Sequence, residues 1–310
     1  MRILVLGASG YLGGHVAGRL RALPRARLLT GGRTPGADLR CDLATAAPGG
    51  LAELLARSSP DAVVNCAGAV GGTALTLAEA NSRGPAALCE ALRAAAPGAR
   101  LVHLGSAAEY GPQPRGEATG ESAHAHPVAP YGATKLAGSL AVMSSGLDAV
   151  VLRVTNPVGP GAPAAGLPGR LTAELRRAVG ASPHATVRVG DLSAYRDFVD
   201  VRDVAAAVAL AVTAPPPLPR LLNVGSGRAV AVRDLVHALV RAAGFRGRVE
   251  ESLPAVGRSA AVPWQCADVT AAARALGWRP AHSLADALDA LWAADGAPAA
   301  GRRAIPVEGP

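Results

Sequence analysis

Apolar residues in the first half of the chain gather into short runs of Val, Leu, Ile and Ala bounded by Gly, Pro or charged residues, and the runs alternate with longer helical stretches. Arg2 to Gly7 reads as a first strand, Arg27 to Thr30 as a second and Ala37 to Leu43 as a short third. Asp61 to Ala67, Arg100 to Gly105 and Asp148 to Arg153 supply further strands. Helices are expected over Tyr11 to Leu23, Gly50 to Arg57 and Ala74 to Ala95. Another, carrying Tyr131 and Lys135, follows a loop from Gly111 to Pro130 rich in Pro, Gly, Ala and His. Apolar strands alternating with helices require crossover connections and a sheet covered on both faces, so the pattern predicts an α/β fold on a parallel sheet. After Asn156 the pattern loosens, with Pro and Gly punctuation from Pro157 to Gly169 that marks a switch into a second lobe. Helices return at Val199 to Val212 and Val230 to Ala243, and the Gly-, Ala- and Pro-rich end, 296–310, reads as a flexible tail.

Composition narrows this picture. Half of the 310 residues are hydrophobic but only 3% are aromatic, so the core must be built mainly from Ala, Val and Leu. No apolar run reaches membrane-spanning length, and since the chain starts directly on its first strand no signal peptide is expected. Cys41, Cys66, Cys89 and Cys266 form no Cys-x-x-Cys pair and no metal-like spacing, as expected of buried thiols in a reducing compartment. A cytoplasmic location and no membrane partner are expected. The formal charge of +8 is spread over scattered arginines with no basic stripe interleaved with aromatics. That argues against a nucleic-acid surface and suits an anionic small molecule.

One residue stands out against this composition. The chain has a single lysine among 31 basic side chains, Lys135, and it lies four residues after Tyr131 in Tyr131-Gly132-Ala133-Thr134-Lys135. Where arginine has replaced lysine almost everywhere, a surviving lysine performs something that a planar, permanently charged fork cannot. On a helix, residues four apart share a face. An ammonium there favours the phenolate and draws a tyrosine pKa down from its ordinary value, which makes the phenol a general acid/base.

The segment Gly7-Ala8-Ser9-Gly10-Tyr11-Leu12-Gly13 follows the first strand and opens a helix. Glycines there permit a tight turn and close backbone approach to a pyrophosphate at the helix N-terminus. With this loop, Ser106 and the Tyr131/Lys135 pair in that order, the chain resembles the extended short-chain dehydrogenase/reductase superfamily, in its NAD-dependent epimerase/dehydratase, nucleotide-sugar branch. The resemblance runs nearly end to end and includes Asn223-Val224-Gly225-Ser226-Gly227 and Leu276-Gly277-Trp278-Arg279-Pro280.

It implies a Rossmann-type doubly wound parallel sheet with a smaller C-terminal α/β substrate lobe. Residues 1–155 would form the dinucleotide-binding domain, with about 196–225 returning to it, and 156–195 and 226–295 the substrate lobe. It further implies cofactor contacts from Gly7, Ser9, Gly10, Tyr11, Leu12 and Gly13, from Asp42 and Leu43 at the adenine, from Cys66, Ala67 and Gly68, and from Asn81. Catalysis would fall to Ser106, which polarises the substrate oxygen, Tyr131, which exchanges the proton, and Lys135, which lowers the tyrosine pKa and binds the nicotinamide ribose.

On the substrate side, Asn156, in Arg153-Val154-Thr155-Asn156-Pro157, resembles the asparagine that touches the diphosphate in nucleotide-sugar enzymes. Arg196, and Arg258 ten residues before Asp268, resemble their phosphate-binding arginines, although the acid that usually follows the second one is replaced by Ser259-Ala260-Ala261. Ala107 would lie against the substrate beside Ser106. The acid pair that sugar-nucleotide dehydratases place after the catalytic hydroxyl is Ala107-Ala108 here. Glu109, one position on, is expected to face the other way on an extended segment, so dehydration lacks its catalyst. His124 and His126 find no third metal ligand and read as solvated or mouth-lining loop residues.

The second strand ends in Thr30-Gly31-Gly32-Arg33, with no acid for a ribose 2′-hydroxyl and an arginine suited to a 2′-phosphate. NADP is therefore favoured, with NAD possible. The expected activity is NADPH-dependent reduction of a keto sugar, in particular a nucleotide-linked 4-keto-6-deoxyhexose. The alternatives are an NAD-dependent nucleotide-sugar epimerase, a reductase of a sugar-like ketone without a nucleotide, as in antibiotic biosynthesis, and, least favoured, a non-catalytic dinucleotide sensor. The family suggests a homodimer through the helices of 74–95 and 131–145.

Overall fold

The computed structural model describes residues 1–181, 185–251 and 262–294. Its first part alternates as the pattern requires: β1 (Arg2–Leu6), α1 (Tyr11–Arg21), β2 (Arg27–Gly32), β3 (Leu39–Arg40), α2 (Pro48–Ser58) and β4 (Ala62–Asn65). Next come α3 (Ala74–Ala78), α4 (Gly84–Ala95), β5 (Arg100–Ser106), α5 (Pro130–Met143) and β6 (Ala149–Val154). The third strand is shorter than expected, two residues in place of seven.

The helix expected over 74–95 is interrupted by a π turn at Glu79–Arg83, and the cause is local. Pro85 has no N–H to give to the Asn81 carbonyl, so Gly84 N–H reaches back to Glu79 instead. The freed Asn81 carbonyl faces the backbone of Gly138 on α5, where a Cβ would collide with it.

Beyond β6 come β7 (Asn156–Val158), α6 (Leu167–Ala181), β8 (Thr186–Val189), β9 (Tyr195–Asp200), α7 (Val201–Thr213) and β10 (Leu221–Val224). They are followed by β11 (Ala229–Ala231), α8 (Val232–Ala242), β12 (Arg248–Glu251), α9 (Thr270–Leu276) and α10 (Leu284–Ala294). Seven strands form one sheet in the order β10-β6-β5-β4-β1-β2-β3, and every pairing in it is parallel. The order reverses between β1 and β4, so the crevice at their carboxyl ends is the place where such a fold binds ligands. Two smaller sheets, β11-β9-β7 and β12-β8, stand apart from it.

Helices cover both faces of the large sheet. On one face Val16 and Leu20 of α1, Val204 and Val208 of α7 and the buried Trp278 pack on Ile3, Val5, Val64, Val102 and Leu152. On the other, Leu51, Leu55, Leu88 and Leu92 of α2 and α4 pack on Leu4, Val63, Leu101 and Val151. The core is thus the Val, Leu and Ala core that the composition demands, and burying those side chains from water on both faces is the main force holding the sheet. Among the described residues no helix is long and apolar enough to cross a membrane.

Candidate active site

The carboxyl ends of the central strands converge on one edge. Gly7 continues β1 with φ +76°, its N–H bonded to Gly31 O at 2.9 Å, and a Cβ there would come within 2.8 Å of Ala67 N. A Cβ on Gly13 would run into the Gly7 carbonyl. Both positions therefore need glycine, and the β1–α1 turn lies directly against the end of β4. Gly10 caps α1 without a side-chain bond, and the first turn carries no acid. A bare glycine turn feeding uncapped N–H groups fits an anionic pyrophosphate.

Ser9 is exposed at this turn, Leu12 half-buried, and the Tyr11 hydroxyl donates to Gly159 O, just past β7, at 3.4 Å. Tyr11 can thus meet a cofactor through its backbone rather than its ring.

The loop after β4 is held from behind. Asn65 Oδ1 accepts from Ala67 N at 3.0 Å, and Asn81 grips Ala69 through both amide atoms, N–H to Oδ1 at 2.9 Å and Nδ2 to O at 2.8 Å. Asn81 is buried and also reaches Thr134 on α5. Its amide, committed to these partners, shapes the Gly68 loop from beneath. Leu43 is likewise buried in the core, so its backbone alone is available to an adenine, while Asp42 Oδ1 accepts from Ala44 N. Arg33 is exposed just past β2. Asp38, just before β3, is bonded to Thr30 N and Oγ1 of β2 at 2.8 and 2.7 Å.

Ser106 ends β5 and caps a 3-10 turn, Ala107–Glu109. Glu109 is therefore not on an extended segment as expected. The capping box folds it back so that its carboxylate accepts from Ser106 N at 2.7 Å, while Ser106 Oγ accepts from Ala108 N at 3.2 Å. The first turn of α5 packs on this turn, Gly132 lying against the Ala108 carbonyl, which sets Tyr131 beside the Ser106 segment.

Lys135 is buried one turn further and donates from Nζ to Leu104 O at 2.6 Å. Burial holds its pKa below the ordinary lysine value, opposed by the nearby Glu109. Burial pushes the Cys66 thiol up to about 12, so it faces Lys135 uncharged. His103, fully buried and bonded through Nδ1 to Asn65, is held well below the ordinary histidine range by desolvation and by Lys135, so it is neutral. Tyr131 is half-buried and shares a helix face with the buried Lys135 next to the turn that Ser106 caps, and a phenol, an ammonium and a serine hydroxyl are the groups needed to hand a proton to a polarised oxygen.

Asn156 starts β7, and its Nδ2 donates to Asp197 O at 2.8 Å and Gln265 Oε1 at 2.5 Å. Arg196 is buried in β9 and donates to Tyr195 O, and burial lowers its pKa. Ala107 lines a small cavity with Tyr110, Gln113, Gln265 and Cys266. Arg258 lies outside the described residues. His124 and His126 are exposed, and no metal-holding cluster exists among the described residues.

Glu109, Ser139, Asp197 and Gln265 had no expected role here. The Ser106-x-x-Glu109 spacing is a capping-box signature and could have disclosed the first.

Residues 3–225 match the family model described as NAD dependent epimerase/dehydratase family. The chain is 38% identical over 303 residues to a dTDP-6-deoxy-L-talose 4-dehydrogenase (NAD(P)(+)) of Kitasatospora kifunensis, covering 94% of this chain and 95% of that one. Among solved structures, a UDP-glucose 4-epimerase from Thermus thermophilus in complex with NAD superposes with a TM-score of 0.80 at 27% identity, over 96% of this chain and 100% of that one. RMD from Pseudomonas aeruginosa complexed with NADPH shares the fold, with a TM-score of 0.81 at 24% identity over 94% and 98%.

Proposed function

The chain belongs to the NAD dependent epimerase/dehydratase family, within the extended short-chain dehydrogenase/reductases, and is an NAD(P)-dependent enzyme; on that premise we propose that it interconverts the 4-keto and 4-hydroxy forms of a nucleotide-linked 6-deoxyhexose, working as an NADPH-dependent reductase. The observation that carries this reading is the junction of Ser106 with the helix face of Tyr131 and Lys135, at the carboxyl ends where the glycine turn offers a pyrophosphate seat. The relative that dehydrogenates position 4 of a dTDP-6-deoxyhexose supports the substrate class. Bound nicotinamide supplies the hydride. Ser106 Oγ polarises the ketone oxygen, Tyr131 delivers the proton to it, and Lys135 favours the phenolate that remains. By resemblance Arg196 and Asn156 would meet the diphosphate, Asn156 only once its Nδ2 exchanges Asp197 O or Gln265 Oε1 for a phosphate oxygen.

Two features favour reduction over dehydration or epimerisation. Ala107 and Ala108 offer no acid, and the Glu109 carboxylate is turned inward onto Ser106 N, Ser139 Oγ and Arg153 Nε. Arg33 with no acid at the end of β2 suits NADPH. Exposed Leu75 and Leu140, on α3 and α5, fit the expected homodimer.

The test is a 340 nm assay of the purified enzyme with NADPH and a dTDP-4-keto-6-deoxyhexose, alongside analysis of any nucleotide released on denaturation. Substrate-dependent NADPH consumption is expected. Stoichiometric retained NAD without net oxidation would replace this reading with the epimerase one. Arg33→Ala is expected to raise the NADPH Kd by roughly ten- to a hundredfold, the scale of a lost charge-assisted phosphate contact, and to leave NADH binding unchanged. Fluorescence titration with both nucleotides reads it, and equal weakening of the two would remove Arg33 from the cofactor site.

A further inference from the structure

We propose that Glu109 is the positioning residue of this site: one carboxylate fixes the Ser106 segment to the helix face of Tyr131 and Lys135 and provides the counter-charge that keeps Lys135 an ammonium. The inference rests on reading Tyr131 and Lys135 as the proton-transfer pair. Its ground is geometric. Glu109 is 0% exposed. Oε1 accepts from Ser106 N at 2.7 Å and from Ser139 Oγ at 2.9 Å, and Oε2 accepts from Arg153 Nε at 2.7 Å. Ser139 follows Tyr131 and Lys135 at steps of four on α5, so it shares their face. The same carboxylate therefore holds the strand end that carries Ser106, the helix that carries the other two and, through Arg153, strand β6.

The surroundings are shaped for it. A Cβ on Gly105 would come within 2.8 Å of Glu109 Oε1 and 2.8 Å of Val151 Cγ1, so the carboxylate occupies the space that a larger residue would fill. Arg153 is held in turn with its guanidinium 4.3 Å over the Tyr110 ring, whose hydroxyl donates to Asn223 Oδ1 at 2.8 Å.

The charge balance around Lys135 singles out the same group. Cys66 faces it from the end of β4 as a thiol, and His103 faces it from β5 as a neutral imidazole. The π turn brings the Asn81 amide and Ser82 hydroxyl to Thr134, while Arg83 turns away to the carbonyls of Ala44 and Ala46. Arg153 is positive and is paired with Glu109 at 2.7 Å. Glu109 is the anion among these groups. A buried ammonium bonded to a single carbonyl loses its proton readily unless such an anion stands near.

The composition supplies the experiment, because the chain has one lysine. Protein labelled with 13Cε-lysine gives a single side-chain NMR signal that reports Lys135 ionisation in the intact chain without substrate or cofactor. The titration is run in a Tyr131→Phe background, which removes the coupled phenol. Glu109→Gln retains an acceptor for Ser106 and Ser139 and is expected to move the Lys135 transition down by about one pH unit or more. Ser139→Ala loosens the same junction without changing charge and leaves the transition in place. If Glu109→Gln does not fold, Glu109→Gln with Arg153→Gln leaves no buried charge unpaired. It is expected to shift the transition in the same direction by less, since a cation is removed along with the anion.

An unmoved transition in the folded variant overturns the counter-charge role, as does an equal shift in Ser139→Ala. Absence of NADPH consumption with every keto sugar would defeat the proposed reaction and leave this result standing.

Discussion

Tyr131→Phe is expected to lower kcat for ketone reduction by roughly 10²- to 10⁴-fold, the usual contribution of a positioned general acid. The substitution deletes one oxygen and keeps the ring, so the packing of the first turn of α5 against the Ala107–Glu109 turn survives. NADPH affinity and thermal midpoint should match those of the unaltered protein. The loss belongs in kcat and kcat/KM equally, because the phenol bonds the oxygen more strongly as it takes on charge. Steady-state kinetics at 340 nm separate the outcomes. An unchanged kcat would assign the proton to another group, and a raised KM with intact kcat would make Tyr131 a binding residue only. Lys135→Arg should lose a comparable factor for a different reason. The charge persists, but a planar fork cannot occupy the buried slot from which Nζ donates to Leu104 O at 2.6 Å.

The parts of this site that were legible in the sequence share one property: their signal is local. The glycine turn follows a strand and opens a helix within seven residues, and Tyr131 and Lys135 declare a common helix face through their spacing and the scarcity of lysine. Strand positions in the large sheet could be read because strands covered on both faces are continuously apolar. What escaped is what long-range contacts decide. Glu109 was expected to face away because an extended course was assumed after β5. The capping box instead turns it under Ser106, and its partners Ser139 and Arg153 stand 30 and 44 residues further on. Resemblance marks Asn81 for the cofactor, but its two bonds to Ala69, twelve residues back, are a matter of folding that no local pattern announces. The break in the 74–95 helix was written in Pro85 but takes its meaning from the approach of α5 at Gly138. Outside the large sheet, strands of three to six residues such as β7, β8 and β9 lack the continuous apolar run that marks β1 or β4.

Asp197→Ala is expected to destabilise the protein by about 3–5 kcal/mol, because it strands several buried donors at once. Asp197 is fully buried in β9. Oδ1 accepts from Ser226 N and Oγ, both at 2.7 Å, and more weakly from Thr155 Oγ1 at 3.4 Å. Oδ2 accepts from Gly227 N at 3.1 Å and Ala267 N at 3.0 Å. Burial raises its pKa against these bonds. The side chain thereby ties the end of β6, the turn after β10 and the segment before α9 into one frame, and its own carbonyl holds Asn156. Asn substitution rescues only part of the loss, since an amide nitrogen on either side would face N–H donors instead of accepting from them. Denaturant unfolding measures the stability loss, and the Asn156 contact should survive it, since the backbone carbonyl that Asn156 bonds is kept in the variant. A loss under about 1 kcal/mol would mean that water satisfies the stranded donors, and the frame would then be held by packing alone.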